Sequence, residues 1–301
     1  MKKTLILLIL MLLVRVLPAL GYEIVVVKGG PLPDAQVVSA FAEELVKILP
    51  ARGPKTIEPH HIEEINLGTD LSGESAAARI AALRPDLILA LGREALLSVR
   101  DIRSIPVIYL LVAAPELIVE ERTNITGIRL DIPPKLQFDQ VSRYLPKVKR
   151  VGVIFDPARS SHVVNQAALN RPDLEFVALA ASSAREVPGL LEKLKGKVDL
   201  LWLLPDLTVT NPQTLQSYFL FSFQNKTPVL AFSEKYLKNG AALAVTFDLE
   251  DMGVQAARLA AAIFTGTPAG RLSVRDISAV KTAINHDITE KLGLDLAPGA
   301  P

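Results

Sequence analysis

The stretch Arg84-Pro-Asp-Leu-Ile-Leu-Ala-Leu-Gly92, leading into Ile105-Pro-Val-Ile-Tyr109, decides how this chain folds. Leu87–Leu91 is an apolar run without alternation, the helical pattern Arg93–Val99 follows a glycine, and Val107–Leu111 is a second apolar run. A strand that is apolar on both faces must be covered on both, which is the condition of a parallel sheet flanked by helices. The arrangement returns in Lys197-Val-Asp-Leu-Leu-Trp-Leu-Leu-Pro205, leading through a helix into Thr227-Pro-Val-Leu-Ala231. In both copies an Asp opens the first strand and a Pro the second, a position where proline is tolerated. The repetition predicts an α/β protein of two related lobes, each a doubly wound parallel sheet, with one large sheet as the alternative.

Outward from these units the same alternation continues. Strands are expected at Ile24–Val27, Thr56–Ile62, Val151–Phe155, Glu175–Ala180, Leu200–Leu204, Val229–Ala231 and Ala241–Phe247. Helices are expected at Asp34–Leu49, Glu74–Leu83, Asn211–Gln224 and Met252–Thr265, the last closed by Gly266 and Pro268. No low-complexity linker separates the halves. Prolines at 115, 133 and 134 place a first join near Ala114–Ile132, and a second fits near Phe247–Asp251. The expected lobes are Tyr22–Ala114 with Asp248–Gly270, and Pro115–Phe247 with 271–301, joined by a hinge.

The N-terminus has the layout of a secretory signal peptide over 1–21: Lys2 and Lys3, the apolar run Leu5–Val14, then Ala19 and Gly21 as small residues before a cut at Tyr22. Arg15 interrupts the apolar run, which is short for a membrane span. With no Cys in 301 residues there is no lipoprotein anchor, disulfide or thiol nucleophile, so the expectation is a soluble periplasmic protein. Lys and Arg number 33 against 32 Asp and Glu, a balance that argues against a nucleic-acid partner. No metal and no cofactor are expected: His60 and His61 are adjacent in an expected strand and point to opposite faces.

An ordered series of short motifs runs through nearly the whole chain. Ile105-Pro-Val-Ile-Tyr109, Asn124-Ile-Thr-Gly127, Leu145-Pro146 and Arg150-Val-Gly-Val-Ile-Phe-Asp-Pro157 come first. Lys197-Val-Asp-Leu200, Leu204-Pro-Asp206, Thr208-Val-Thr210, Lys226-Thr-Pro-Val229, Phe232-Ser-Glu234 and Asn239-Gly240 follow. Met252-Gly253, Phe264-Thr-Gly266, Ala283-Ile-Asn285 and Leu292-Gly-Leu294 close the series. In this the chain resembles the ABC-transporter substrate-binding family with the type I periplasmic-binding-protein fold. The resemblance implies a monomeric, non-enzymatic protein that captures a small molecule, such as an amino acid, in an interlobe cleft and delivers it to an inner-membrane ABC permease. The chain departs from the family at Val112-Ala113-Ala114-Pro115, where members usually carry an Asp before the Pro, and Ser161–Pro172 looks short for the usual helix. The altered loop keeps open a ligand-sensing or scaffold protein of the same fold, acting on a membrane receptor or envelope complex.

Ligands of open α/β sheets sit beyond the C-terminal strand ends. The expected site residues in the first lobe are therefore Lys28, Gly29, Gly30, with Pro31 beside them, then Gly92, Arg93, Glu94, Ala113 and Ala114. In the second they are Asp156, Ser160, Asp206, Thr208, Thr210, Phe232, Ser233 and Glu234. Lys28 suits a solute carboxylate, while Gly29-Gly30 is equally a plain strand-to-helix turn. Asp206 is expected at the cleft mouth, reading an amine and contributing little to folding; the alternative is helix capping before Pro212, where Asn211 is itself a good N-cap. Ser161 reads as a helix N-cap. Ser160, Ser161 and His162 form no hydrolase set, lacking a Gly-x-Ser-x-Gly turn and a second histidine base. Trp202 reads as core.

Overall fold

The computed structural model describes residues 21–30, 34–49, 60–70, 75–119 and 124–301. Residues 1–20 of the expected signal peptide, Pro31, Glu74 and the Thr56–Pro59 part of an expected strand lie outside the described residues. In chain order the elements are β1 (Glu23–Lys28), α1 (Asp34–Ile48), β2 (His61–Asn66), α2 (Ala76–Leu83), β3 (Leu87–Leu91), α3 (Arg93–Val99), β4 (Val107–Val112) and β5 (Ile125–Arg129). Then come α4 (Pro134–Tyr144), β6 (Arg150–Phe155), α5 (Pro157–Asn170), β7 (Glu175–Ala180), α6 (Val187–Leu194), β8 (Leu200–Trp202), α7 (Pro212–Asn225) and β9 (Val229–Ala231). The chain closes with β10 (Leu243–Phe247), α8 (Leu249–Phe264), β11 (Val280–Ile284) and α9 (His286–Leu292).

Two compact units divide at Asp131/Ile132, Asp248/Leu249 and Asp276/Ile277. The first holds a five-stranded sheet in the order β2-β1-β3-β4-β5, every pairing parallel. All of β3 and β4 is buried, as a strand covered on both faces requires. The helix α8 packs on α1 where Gly253 meets it: a Cβ at that position would lie 2.4 Å from the carbonyl oxygen of Val37. β5 belongs to this unit rather than the second, because it pairs with β4; Arg275 follows it, exchanging backbone bonds with Gly127 and Arg129.

In the second unit a six-stranded sheet runs β11-β10-β9-β8-β6-β7, with β11 antiparallel to β10 and the rest parallel. One face packs Phe138, Trp202, Leu230 and Ile288; the other packs Ile154, Leu191, Tyr218 and Phe221. Trp202 is core, as its sequence context implies, and its indole N–H donates to Gln137 Oε1 at 3.0 Å.

Five strands of each unit share one order, second-first-third-fourth-fifth, and the sequence repeat has a matching physical basis in both. The Asp that opens the third strand reaches back to the first. Asp86 accepts from the Glu23 N–H at 2.9 Å, and Asp199 accepts from the N–H groups of Lys149 and Arg150 at 3.0 and 2.9 Å. The carbonyl of the Pro that opens the fourth strand accepts from the third: Ile88 N–H to Pro106 at 2.9 Å, Leu201 N–H to Pro228 at 2.8 Å.

The Ser161–Pro172 segment is not short of helix. α5 starts at Pro157, capped by Asp156, whose carboxylate accepts from the Ala158 N–H. Ser161 is therefore inside the helix and not its N-cap; its hydroxyl donates to the Pro157 carbonyl at 2.6 Å. A carboxylate followed by Pro at the first helical position is the stronger start signal. The expected strand Leu200–Leu204 stops at Trp202, and β2 runs on to Asn66.

Candidate functional site

In this strand order the topological switch lies between the first and third strands, so the loops after β1 and β3, and after β6 and β8, flank it. Within the second unit these loops form one hydrogen-bonded cluster. Asp206, just beyond β8, is 3 % exposed. Its Oδ2 accepts from the Asp156 N–H at 2.9 Å and the Ser160 hydroxyl at 2.8 Å, and its Oδ1 accepts from the Thr208 N–H at 3.0 Å. The Asp206 carbonyl accepts from the N–H groups of Val209 and Thr210.

The expectation of a cleft-mouth carboxylate free to read an amine and unimportant to folding does not fit this geometry. Asp206 is buried with three donors on it, and it ties the loop after β8 to the start of α5. The carboxylate that remains half-exposed is Asp156. Its Oδ2 accepts from the Thr208 hydroxyl at 2.8 Å; that bond, aided by the Ala158 N–H, holds its pKa below the ordinary carboxylate range. Asn211 caps α7 in a reciprocal pair with Thr214, so capping there falls to Asn211 and not to Asp206. The hydroxyl oxygen of Thr210 is buried without a hydrogen-bond partner.

Tyr218 on α7 is buried. Burial raises its pKa, and the charge of Asp206 raises it further. No sequence signal marks it, because it is one apolar-face position among several on α7. Phe232 is half-buried, its ring edge-on to Tyr236 at 5.1 Å. Ser233 precedes a 3-10 segment, Glu234–Asn239, without a capping bond from its side chain, and Glu234 is exposed.

In the first unit Lys28 ends β1 and its ammonium pairs with Glu64 at 2.5 Å, so it faces a neighbouring strand's carboxylate before any solute's. Gly29 is required by close packing: a Cβ there would lie 2.7 Å from the Glu94 Cβ and 2.8 Å from the Ala95 nitrogen. The first turn of α3 thus sits directly against the loop after β1. Gly30 follows with φ of 80°; Gly92 caps α3, while Arg93 and Glu94 are exposed at its start. The loop after β4 carries exposed Ala113 and half-buried Ala114. The backbone is strained at this end of the strand, with left-handed φ values of 58° at Leu111, inside β4, and 47° at Ala114 in the loop, neither a glycine. Strain of this kind is retained where the surrounding fold over-determines it, commonly at binding loops.

His60 lies outside both loop sets. Its ring stacks on Tyr22 at 5.6 Å, its Nε2 bonds the Leu49 carbonyl, and burial lowers its pKa. His61 opens β2 and is exposed.

With the loops in place, the chain can be set beside known proteins. The family model for the ABC transporter substrate binding protein matches residues 40–298. The chain belongs to that family. A Tyrosine-binding protein of Clostridioides difficile (strain R20291) is 23% identical over 261 residues, covering 83% of this chain and 75% of that protein. The ligand-free, open structure of a substrate binding protein with adhesive properties from Clostridium difficile matches with TM-score 0.69 and 21% identity, covering 92% of this chain and 97% of that one. An ABC domain in complex with L-Trp from Streptococcus pneumonia matches at TM-score 0.52 and 19% identity, over 92% of this chain and 96% of that one. These likenesses establish the type I periplasmic-binding-protein fold of two mostly parallel α/β sheets. Among the described residues no helix is long and apolar enough to cross a membrane.

Proposed function

We propose that this protein is a periplasmic solute-binding protein that captures an amino acid, with aromatic ones first among the candidates, and delivers it to an ABC permease. The observation that carries the reading is the cluster at the β6 and β8 strand ends, where Asp206 holds two loops in register at the topological switch. Loops held by a buried carboxylate are pre-organised, and a pre-organised site loses less ordering entropy on binding. The family and the aromatic ligands in two relatives' names support the solute class. Asp156 and Thr208 are the second-unit groups offered to the solute, with Asp206 positioning them. In the first unit the backbone after β1 and β3, at Gly30 and Gly92, supplies close approach. Ala113 and Ala114 supply no carboxylate, so an ammonium group must be met elsewhere, and Asp156 is the half-exposed acid at these strand ends in the second unit.

The test is thermal shift of the exported chain against L-Tyr, L-Trp and the other amino acids, followed by calorimetry on any hit. A true ligand at a hundredfold excess over its Kd stabilises the fold by about 2.7 kcal/mol. Asp156→Asn is expected to weaken binding by about tenfold, within the range of one charge-assisted hydrogen bond. No stabilisation by any amino acid would refute the solute class. It would favour the second reading, a sensor or scaffold of the same fold, which the Ala113-Ala114 loop already supports.

A further inference from the structure

The helix α7 carries more apolar surface than its core contact uses. Its core face is Thr214, Tyr218, Phe221 and Ser222, all buried. Leu215, Phe219, Leu220 and Phe223 form an adjoining apolar row, of which Phe219 is buried and Leu215 half-buried against the core while Leu220 and Phe223 are left exposed. Leu220 is 56% exposed and Phe223 43%, and Leu207 before the helix is 77% exposed. These side chains line a cavity of about 800 Å³ whose opposite wall is the 3-10 segment carrying Lys235, Tyr236 and Asn239. The volume is that of small-molecule sites, which combine an apolar lining with a few orienting polar groups.

The polar lining of this cavity is neutral apart from one cation: Thr210, Asn211, Gln216, Tyr236 and Asn239 beside Lys235. Among the described residues Lys235 is its one charged lining residue, and no carboxylate of theirs lines it. The Lys235 ammonium lies 4.9 Å from the centre of the Tyr236 ring and makes no ion pair among the described residues. Thr210, more than nine-tenths buried, also lines the cavity, and its hydroxyl oxygen is without a hydrogen-bond partner. An ammonium or zwitterion would find no acid here, whereas a carboxylate finds a cation and an apolar body finds a wall of leucine and phenylalanine.

We propose that this groove, which runs from the loop after β8 along α7, is a second ligand site for a small amphiphilic anion: one carboxylate on an aliphatic or aromatic body. The carboxylate sits toward Lys235 and the apolar body lies along Leu215, Phe219, Leu220 and Phe223. The amino-acid reading rests on Asp156, Thr208 and Asp206, none of which lines the groove, so each reading can fail without the other.

The test uses the purified exported chain, with octanoate as the anionic probe and 1-octanol as its neutral match, titrated by calorimetry and by displacement of anilinonaphthalene sulfonate fluorescence. Octanoate is expected to bind saturably. Lys235→Gln should weaken octanoate about threefold, the scale of an exposed charge pair, and leave 1-octanol unchanged. Leu220→Asp, a substitution at an exposed position, should abolish binding of both while keeping the fold and any amino-acid stabilisation. Absence of saturable octanoate binding at about 1 mM, where affinity falls to about −4 kcal/mol, overturns the proposal. So does equal octanoate affinity in Lys235→Gln. Sedimentation that shows a dimer in the wild type and a monomer in Leu220→Asp also overturns it, assigning the groove to self-association.

Discussion

Replacing Asp206 by Ala removes the acceptor of three donors at once: the Asp156 N–H, the Ser160 hydroxyl and the Thr208 N–H. A hydrogen bond to a charged group is worth about 1.5–3 kcal/mol net, but the three share one carboxylate and are not additive. Asp156 and Thr208 are half-exposed, so their N–H groups can turn to water. Ser160 is 8% exposed and has little access to it. One full charge-assisted bond plus part of the cost of an orphaned hydroxyl comes to about 3 kcal/mol of lost stability. Asp206→Asn keeps one acceptor oxygen and the side-chain volume, and about half that loss is expected. The assay is equilibrium urea unfolding, reading the midpoint at constant slope so that the difference reports the folded state. A loss below about 0.5 kcal/mol, the range of ordinary surface substitutions, would refute the internal role of this carboxylate. An Asp206→Ala, Ser160→Ala cycle gives an independent check: a coupling near zero would mean that the two side chains do not meet in solution.

Other consequences follow from single contacts. Gln137→Leu leaves the indole N–H of Trp202 buried without its acceptor and should cost about 1–3 kcal/mol; as this is the sole Trp of the chain, unfolding can be followed by its fluorescence. Gly253→Ala places a methyl against the Val37 carbonyl, forcing α1 and α8 apart, and should cost about 1–3 kcal/mol or more in thermal or urea unfolding. His60 has a lowered pKa in the folded state, so the unfolded chain binds the extra proton first. Stability contributed by neutral His60 is full above the unfolded value near 6.5 and is lost as pH falls below it. His60→Gln should flatten the stability profile between about pH 7 and 5, and an unchanged slope would assign that pH dependence to other groups.

Much of the architecture follows from local sequence because strand burial is written in composition. Runs such as Leu87–Leu91 and Val229–Ala231 are apolar on both faces, so their position and parallel setting need no tertiary information. The repeat, too, is local: an Asp and a Pro at matching strand starts make matching bonds in both units. β5, Ile-Thr-Gly-Ile-Arg, is too short and mixed to read as a strand from sequence; it is a strand because β4 offers an edge, and because Gly127 leaves room for the Tyr109 ring. Asp156-Pro157 shows the opposite case, a helix start present in the sequence and read as loop because it lies at a strand end.

The site divides along the same line. That Asp156, Asp206 and the glycines after β1 and β3 lie at strand ends is set by chain order alone. Whether Asp206 faces a solute or its own neighbours is not, since a carboxylate in a loop has the same local sequence either way. Tertiary structure decides it by bringing the Asp156 N–H and Ser160 hydroxyl, from the loop after β6 and the start of α5, onto the loop after β8. The groove on α7 is likewise invisible to sequence. An apolar row on a helix looks like core until the fold shows which row the sheet covers and which it leaves to solvent.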